Sequence, residues 1–234
     1  MSGKKIGIIL ISTLAITGGA YFLCRYLDIF NWYRTESTSM KPTINKGEVI
    51  FVSNLLSIER GDIVAYKARP AIWEESRKEY TSVGRVVAIE NDKLELKNGL
   101  LFINGKFVDD TNKLVYLFYI SSPLVMNIIP KDAQEENLYL YNDSLAIGNY
   151  TYSELKQFGL QKISRRFIDT QLIINPSMFN AKSNEFWSSD NFGPVTIPKG
   201  NYFILADNRG NALDSRQRGF VSKARIVSKS LNKK

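Results

Sequence analysis

The groups in this chain that can do chemistry are hydroxyls, carboxylates, amines and the backbone. The 234 residues include no histidine and one cysteine, Cys24. Catalysis by a histidine-activated serine or cysteine is therefore excluded, and so is a histidine-ligated metal. A single cysteine can close no intramolecular disulfide and cannot hold structural zinc. We expect neither a metal nor any other cofactor.

Four sequence motifs carry such groups and follow one another in a definite order. They are STSMKPT at 37–43, RGDIV at 60–64, VGRVV at 83–87, and a longer block at 206–221 that contains ADNR and DSR. An uncharged apolar stretch precedes the first of them. In these features the chain resembles the type I signal peptidase family of membrane-bound serine proteases. The resemblance covers roughly residues 1–106 and 187–230.

The resemblance implies a role for the polar residues of the first and last motifs. Ser39 is the expected nucleophile, and the Ser37 hydroxyl and the Ser39 backbone N–H are expected to stabilise the oxyanion. The alternative is that this serine pair belongs to an ordinary polar loop. The last motif is expected to support the site structurally, with an Asp-Arg pair that fixes the loop. Its supporting residues are Asp207, Asn208, Arg209, Asp214, Ser215 and Arg216.

The general base is where the sequence departs from the family pattern. The family uses a lysine directly before Arg-Val-Val, and this position is Gly84 here. The hydroxyl that supports the lysine is replaced by Ala212. Ser82 shares a strand face with position 84, but a hydroxyl is not a base. Lys41 is the substitute amine nearest in sequence, but the resemblance places it at the variable position of its motif. Three other lysines flank the relevant strands and are expected to be surface groups: Lys67, Lys78 and Lys93.

The apolar stretch from Ile6 to Cys24 contains no charge and would be about 28 Å long as a helix, close to the thickness of a bilayer core. We expect it to be a single transmembrane helix. Lys4 and Lys5 precede it, which favours a cytoplasmic N-terminus and a domain on the periplasmic or extracellular side of the inner or cytoplasmic membrane. The alternative is a signal peptide that is cleaved near Ala20.

The rest of the chain is rich in short β-branched and aromatic runs. These predict strands at 47–53, 62–66, 81–89, 93–97, 100–103 and 202–205. Asn98-Gly99 and Asn104-Gly105 predict tight hairpin turns, which need positive φ at both central residues. A helix is expected from Ser153, whose side chain would cap it, to Gly159.

We therefore expect a mostly β protein, with a signal-peptidase-like antiparallel β body, an inserted α+β subdomain and one N-terminal transmembrane helix. The expected division is a cytoplasmic tail at 1–5, the transmembrane helix at 6–24, a linker at 25–36, a core at 37–106 and 187–230, an insertion at 107–186 and a tail at 231–234.

Two functions remain open from the sequence. The first is a serine endopeptidase of the signal peptidase I type, which cleaves N-terminal signal peptides from exported preproteins at the membrane. The second is a catalytically impaired relative that binds peptide segments as an assembly factor or chaperone. Ser37 and Ser39 favour the first function, and Gly84 and Ala212 favour the second. The expected partners are signal peptides and the lipid bilayer, and the net charge of +8 comes without the aromatic and basic pattern of a nucleic-acid-binding protein.

Overall fold

The computed structural model describes residues 3–27, 29–70, 78–121, 128–131, 134, 137–170, 173–174, 176–179 and 186–233. Helix α1 (Gly3–Tyr26) is followed by a domain built from antiparallel sheets. The most apolar 18-residue window within Lys4–Tyr26 has a mean hydropathy of 2.0, and none of that window is buried within the protein. The predicted fold class, mostly β with one N-terminal apolar helix, is confirmed.

The largest sheet has seven strands and joins both ends of the domain. In spatial order they are β1 (Phe30–Arg34), β2 (Val49–Ser53), β17 (Ile226–Ser230), β3 (Ile63–Ala68), β4 (Tyr80–Ala88), β15 (Asn201–Leu205) and β16 (Val221–Ser222). Every neighbouring pair in this sheet is antiparallel. Strand β4, which carries the third motif, therefore lies between β3, which continues from the second motif, and β15, which leads into the last motif.

A second antiparallel sheet contains the two predicted hairpin turns. Its order is β14 (Phe192–Thr196), β5 (Lys93–Lys97), β6 (Leu100–Ile103) and β7 (Lys106–Phe107). Asn98 and Gly99 have φ of 49° and 68°, and Asn104 and Gly105 have φ of 52° and 77°. These angles confirm the positive φ expected at all four positions. Asparagine and glycine occur there because they tolerate the left-handed conformation best. A cluster of buried aromatic and aliphatic side chains packs between this sheet and β15.

The segment between the core motifs forms a third sheet with its own apolar core. Its order is β11 (Ser164–Arg166), β8 (Tyr116–Ser121), β10 (Leu145–Tyr150) and β9 (Leu138–Asn142). A two-stranded sheet pairs β12 (Ile173–Ile174) with β13 (Trp187–Ser188). Short 3₁₀ turns occupy Pro176–Phe179 and Lys223–Arg225, and helix α3 spans Ser215–Arg218.

Helix α2 (Tyr152–Gln157) begins earlier than the sequence indicated. Its N-cap is Thr151, not Ser153. The Glu154 N–H donates to the Thr151 hydroxyl at 3.0 Å, and the Thr151 N–H donates to the Glu154 carboxylate at 2.6 Å. This reciprocal capping box satisfies two N–H groups at the start of the helix and fixes Thr151 as the cap.

The end of α1 is joined closely to the first strand of the domain. Arg25 donates from Nη1 to Oδ1 of Asn31 at 2.7 Å, and Asn54 donates from its side chain to the carbonyl of Leu27 at 3.0 Å. Asn31 belongs to β1, and Asn54 directly follows β2. These contacts fix the β1–β2 hairpin against the end of the helix.

Candidate active site

The two serines of the first motif contact each other in the loop that follows β1. Their Oγ atoms are 2.8 Å apart, and the Ser39 N–H donates to Ser37 Oγ at 3.3 Å. The nucleophile and both oxyanion donors implied by the resemblance are therefore within one small loop. In this conformation the donors are engaged with each other, so a substrate carbonyl must replace these contacts.

Asn208 holds this serine loop in place from the last motif. Its backbone N–H donates to the Ser39 carbonyl at 2.9 Å, and its side-chain amide donates to the Thr38 carbonyl at 3.2 Å. Two carbonyls next to the expected nucleophile are thus bound by one residue. The role of Asn208 is geometric, because neither bond involves the Ser39 hydroxyl.

A cavity of about 320 Å³ opens beside Ser39. It lies between the end of β1 with its following loop and the first residues of β4. Its lining residues are Tyr33, Arg34, Thr35, Glu36, Ser37, Ser39, Met40, Tyr80, Thr81, Ser82 and Val83. No lysine lines it in the part of the chain that the structure describes, which includes Lys41, Lys67, Lys78 and Lys93.

Position 84 is buried behind this cavity and is closely surrounded. A Cβ atom placed on Gly84 would be 2.5 Å from the Cγ2 methyl of Ile204, 3.4 Å from the Leu205 carbonyl oxygen and 3.5 Å from Cε1 of Tyr66. Ala212 packs against the apolar cluster that includes Met40, which Val83, the neighbour of Gly84, also contacts. The two positions where the sequence lacks the lysine and its supporting hydroxyl are thus both filled by apolar packing.

A tyrosine and a serine on neighbouring strands occupy the region next to Gly84. Tyr66 and Ser82 are directly opposite in the β3–β4 register, and their hydroxyls share a hydrogen bond. Burial, with a smaller contribution from the charge of Asp214, raises the pKa of Tyr66 to about 12. Tyr66 therefore remains a neutral phenol at physiological pH and cannot act there as a base toward Ser39.

Asp207 anchors the beginning of the last motif to the third. Arg85 donates to its carboxylate from Nε at 2.8 Å and from Nη2 at 2.6 Å, and the Thr43 hydroxyl donates to the same carboxylate. Asp207 is buried, with 1% of its side chain exposed. Burial opposes the charge of Arg85, but the hydrogen bond and charge of Asp207 overcome this and raise the pKa of Arg85. This two-point pair fixes residue 207 relative to β4.

Asp214 and Arg216 form a second buried ion pair inside the last motif. Arg216 donates from Nε and Nη2 to the Asp214 carboxylate at 2.9 and 3.0 Å. Asp214 also accepts the Ala206 N–H at 3.1 Å, and Arg216 donates to the Arg209 carbonyl at 2.9 Å. Ser215, which lies between Asp214 and Arg216, accepts the Ile204 N–H with its hydroxyl at 3.0 Å. These bonds join the end of the loop, at 214–216, to its beginning at 206–209 and to β15.

Several residues of the site could not be identified from the sequence. Asp109, which lies in the insertion, contacts Arg209 at 2.9 Å. Tyr80 belongs to no motif, so the sequence did not mark it as a site residue. It lines the cavity, and its ring lies 5.2 Å from the guanidinium of Arg218. The pairing of Tyr66 with Ser82 follows from strand register, which motif spacing alone does not reveal.

Among the residues that the structure describes, no cluster of three or more metal-ligating side chains is present.

Comparison with known proteins gives one consistent family. The family model described as "Signal peptidase, peptidase S26" matches residues 7–232. A signal peptidase I of Bacillus amyloliquefaciens is 28% identical over 207 residues, covering 86% of this chain and 72% of that protein. A signal peptidase IB of Staphylococcus aureus Mu50 is 27% identical over 202 residues, covering 84% and 73%. A solved signal peptidase I from Enterococcus faecalis V583 aligns with 75% of this chain and 98% of its own at 19% identity, with a TM-score of 0.35.

Proposed function

Because the chain belongs to the peptidase S26 family of signal peptidases, we propose that it is a membrane-anchored serine endopeptidase that cleaves signal peptides from exported preproteins. The match to the family model over residues 7–232 carries this function. The Ser37–Ser39 pair beside an open cavity supports it at the level of chemistry. The apolar helix α1 supplies the membrane anchor.

In the proposed reaction, Ser39 Oγ attacks the carbonyl carbon of the scissile peptide bond. The carbonyl oxygen becomes an oxyanion that accepts hydrogen bonds from the Ser39 N–H and the Ser37 hydroxyl. The C–N bond then breaks, the leaving nitrogen takes up the proton that Ser39 Oγ has released, and an acyl-enzyme remains on Ser39. Water hydrolyses this ester and restores the serine. Asn208 and the two buried ion pairs keep the loop in position throughout.

The extended signal peptide would bind in the cavity next to β1. This strand is at the outer edge of the seven-stranded sheet, where it pairs with β2. An unpaired strand edge can accept a further strand through main-chain hydrogen bonds. A volume of about 320 Å³ shared among several subsites favours small side chains next to the scissile bond.

A second function is favoured by the packing around Gly84. Because no lysine lines the cavity among the described residues, proton removal from Ser39 lacks the amine that the family uses. The loss of a positioned base lowers the rate by about 10² to 10⁴. A chain of this kind would bind signal peptides or other extended segments at the same cavity without rapid cleavage, as an assembly factor or chaperone.

Cleavage of a preprotein by the purified full-length protein in lipid micelles distinguishes the two functions. The substrate should carry small residues before the scissile bond. Ser39→Ala should abolish cleavage, while Ser57→Ala, on an exposed loop after β2, should leave it unchanged. Binding of the same peptide by wild-type protein without any cleavage would favour the second function. Persistence of cleavage in Ser39→Ala would show that Ser39 is not the nucleophile.

The proposed location places residues beyond α1 outside the cytoplasm. Lys4 and Lys5 before the apolar stretch support a cytoplasmic N-terminus. Protease added to intact protoplasts or spheroplasts should then digest the domain. Full protection of the domain would contradict this orientation.

A further inference from the structure

A buried ion pair connects the start of the insertion to the loop at 206–210, whose Asn208 binds the serine loop. Arg209 donates from Nη2 to Asp109 Oδ1 at 2.9 Å and from Nη1 to Asp109 Oδ2 at 3.3 Å. The two side chains are 4% and 2% exposed. A buried pair of this kind costs little only while both partners are present, because removal of one leaves an uncompensated buried charge.

Asp109 is fixed from several directions besides the arginine. Its Oδ2 atom accepts the Leu101 N–H at 3.0 Å and the Tyr116 hydroxyl at 3.2 Å. Leu101 belongs to β6, and Tyr116 begins β8 in the insertion. The carboxylate is therefore a junction between two sheets, and it presents a rigid partner to Arg209.

The backbone next to this ion pair leads directly to the nucleophile loop. Val115 donates to the carbonyl of Asp207 at 3.0 Å, and Arg209 donates back to the carbonyl of Val115 at 2.8 Å. Asn208 lies between these two bonds and donates its own N–H to the Ser39 carbonyl at 2.9 Å. Residue 208 is thus held on one side by the insertion and binds the serine loop on the other.

Close packing at Gly210 extends this contact. A Cβ at this position would be 2.7 Å from Oδ1 of Asn149 and 2.8 Å from the backbone nitrogen of Leu117. Both residues belong to the insertion, on β10 and β8. The strands of the insertion therefore lie directly on the loop at 207–210.

We propose that Asp109 is a positioning residue for Ser39, acting through Arg209 and the backbone at 207–209. The insertion is then a structural part of the active site, and its first residues set the position of the serine loop. An effect of Asp109 on catalysis rests on the proposed function. The effect of Asp109 on the position of the serine loop does not depend on that function.

Hydrogen exchange of the full-length protein in micelles tests the proposal, with Asp109→Asn as the variant and Asp110→Asn as its matched control. Asp110 is adjacent, but its carboxylate is 49% exposed and pairs with the exposed Lys113. In Asp109→Asn, exchange of peptides covering 206–210 and 37–41 should accelerate by about 10-fold to 100-fold, since one charge of a buried pair is lost. In the same variant, peptides from β3 (Ile63–Ala68) should exchange as in wild type. In Asp110→Asn, all peptides should exchange as in wild type.

Two results would overturn the proposal. One is exchange at 206–210 and 37–41 that is the same in Asp109→Asn and Asp110→Asn. The other is equal acceleration in β3, which would mean general destabilisation. If Asp109→Asn does not fold, Tyr116→Phe removes a single donor to Asp109 and should give the same pattern more weakly; an unchanged 206–210 peptide in Tyr116→Phe would then also overturn it.

Kinetics separate this proposal from the proposed function. If wild-type protein cleaves preprotein, Asp109→Asn should lower kcat by a larger factor than it changes KM, because Ser39 itself is displaced while only part of the peptide-binding cavity belongs to the loosened loop. Absence of cleavage by wild type would contradict the proposed function, and the exchange pattern would still decide whether Asp109 positions Ser39.

Discussion

The Cγ2 methyl of Ile204 occupies the space into which a side chain at Gly84 would extend, 2.5 Å from the position of its first carbon. Ile204 is fully buried on β15 beside β4, so its branched side chain has little freedom to move. Position 84 therefore lacks the space for a side chain as well as the lysine itself, and a single substitution there must displace its neighbours.

The first prediction concerns this packing. Gly84→Lys should lower the free energy of unfolding by about 1 to 3 kcal/mol, because a side chain added to the packed core forces the neighbouring side chains to shift. The double variant Gly84→Lys, Ile204→Ala should lose less unfolding free energy than the two single variants lose together. It should also cleave preprotein faster than wild type. Urea unfolding and a cleavage assay measure both effects, with Ile204→Ala as the control. Additive destabilisation without any gain in cleavage would contradict the steric explanation.

The second prediction concerns the oxyanion donors. Ser37→Ala should lower kcat by about 10² to 10³ and leave KM nearly unchanged, because the hydroxyl acts on the developing charge. Ser37→Thr keeps the hydroxyl and should retain most of the activity. An unchanged kcat in Ser37→Ala, measured with the same preprotein, would remove Ser37 from the oxyanion site.

The third prediction concerns the ion pair inside the last motif. Asp214→Ala should destabilise the domain by about 3 to 5 kcal/mol, since it leaves the buried guanidinium of Arg216 without its main partner. Asp143→Ala, in the exposed turn between β9 and β10, should change stability by less than about 0.5 kcal/mol. Denaturant unfolding of the two variants gives the comparison, and equal stabilities would refute a structural role for Asp214.

The fourth prediction concerns alkaline pH. The pKa of Tyr66 is raised from 10.0 to about 12 in the folded protein, so between these pH values the unfolded chain releases its proton while the folded chain does not. The stability due to this group is therefore present below pH 10 and is lost as the pH rises toward 12, by about 2 to 3 kcal/mol. Unfolding measured at pH 9 and pH 11.5 should show a steeper loss in wild type than in Tyr66→Phe. Equal slopes would mean that the phenol titrates normally.

The sequence was most informative where local chemistry determines the backbone. The turns at Asn98-Gly99 and Asn104-Gly105 follow from the need for positive φ, and β5 and β6 have the predicted bounds of 93–97 and 100–103. The N-cap of α2 was wrong by two residues, because Thr151 and Ser153 both favour caps and only the reciprocal bond with Glu154 separates them.

The site was less predictable, because its contacts join residues that are distant in the chain. The motif order indicated Ser39 and the loop at 206–221, but the contact of Asp109 with Arg209 spans 100 positions and has no local signal. Likewise, the glycine at 84 shows from the sequence that an amine is missing. Only the position of Ile204 shows that the space for it is missing too.

The short connection between α1 and β1 has a consequence for the substrates that can be reached. The helix ends at Tyr26, the strand begins at Phe30, and the hairpin is tied to the helix end by Arg25 and Asn54. From Phe30 to Ser39 the chain makes nine steps, which span about 30 Å at most. With α1 in the bilayer and Ser39 as the nucleophile, as proposed, this length sets a maximum height of Ser39 above the bilayer surface, and we expect a scissile bond held farther from the lipid to escape cleavage whatever its sequence.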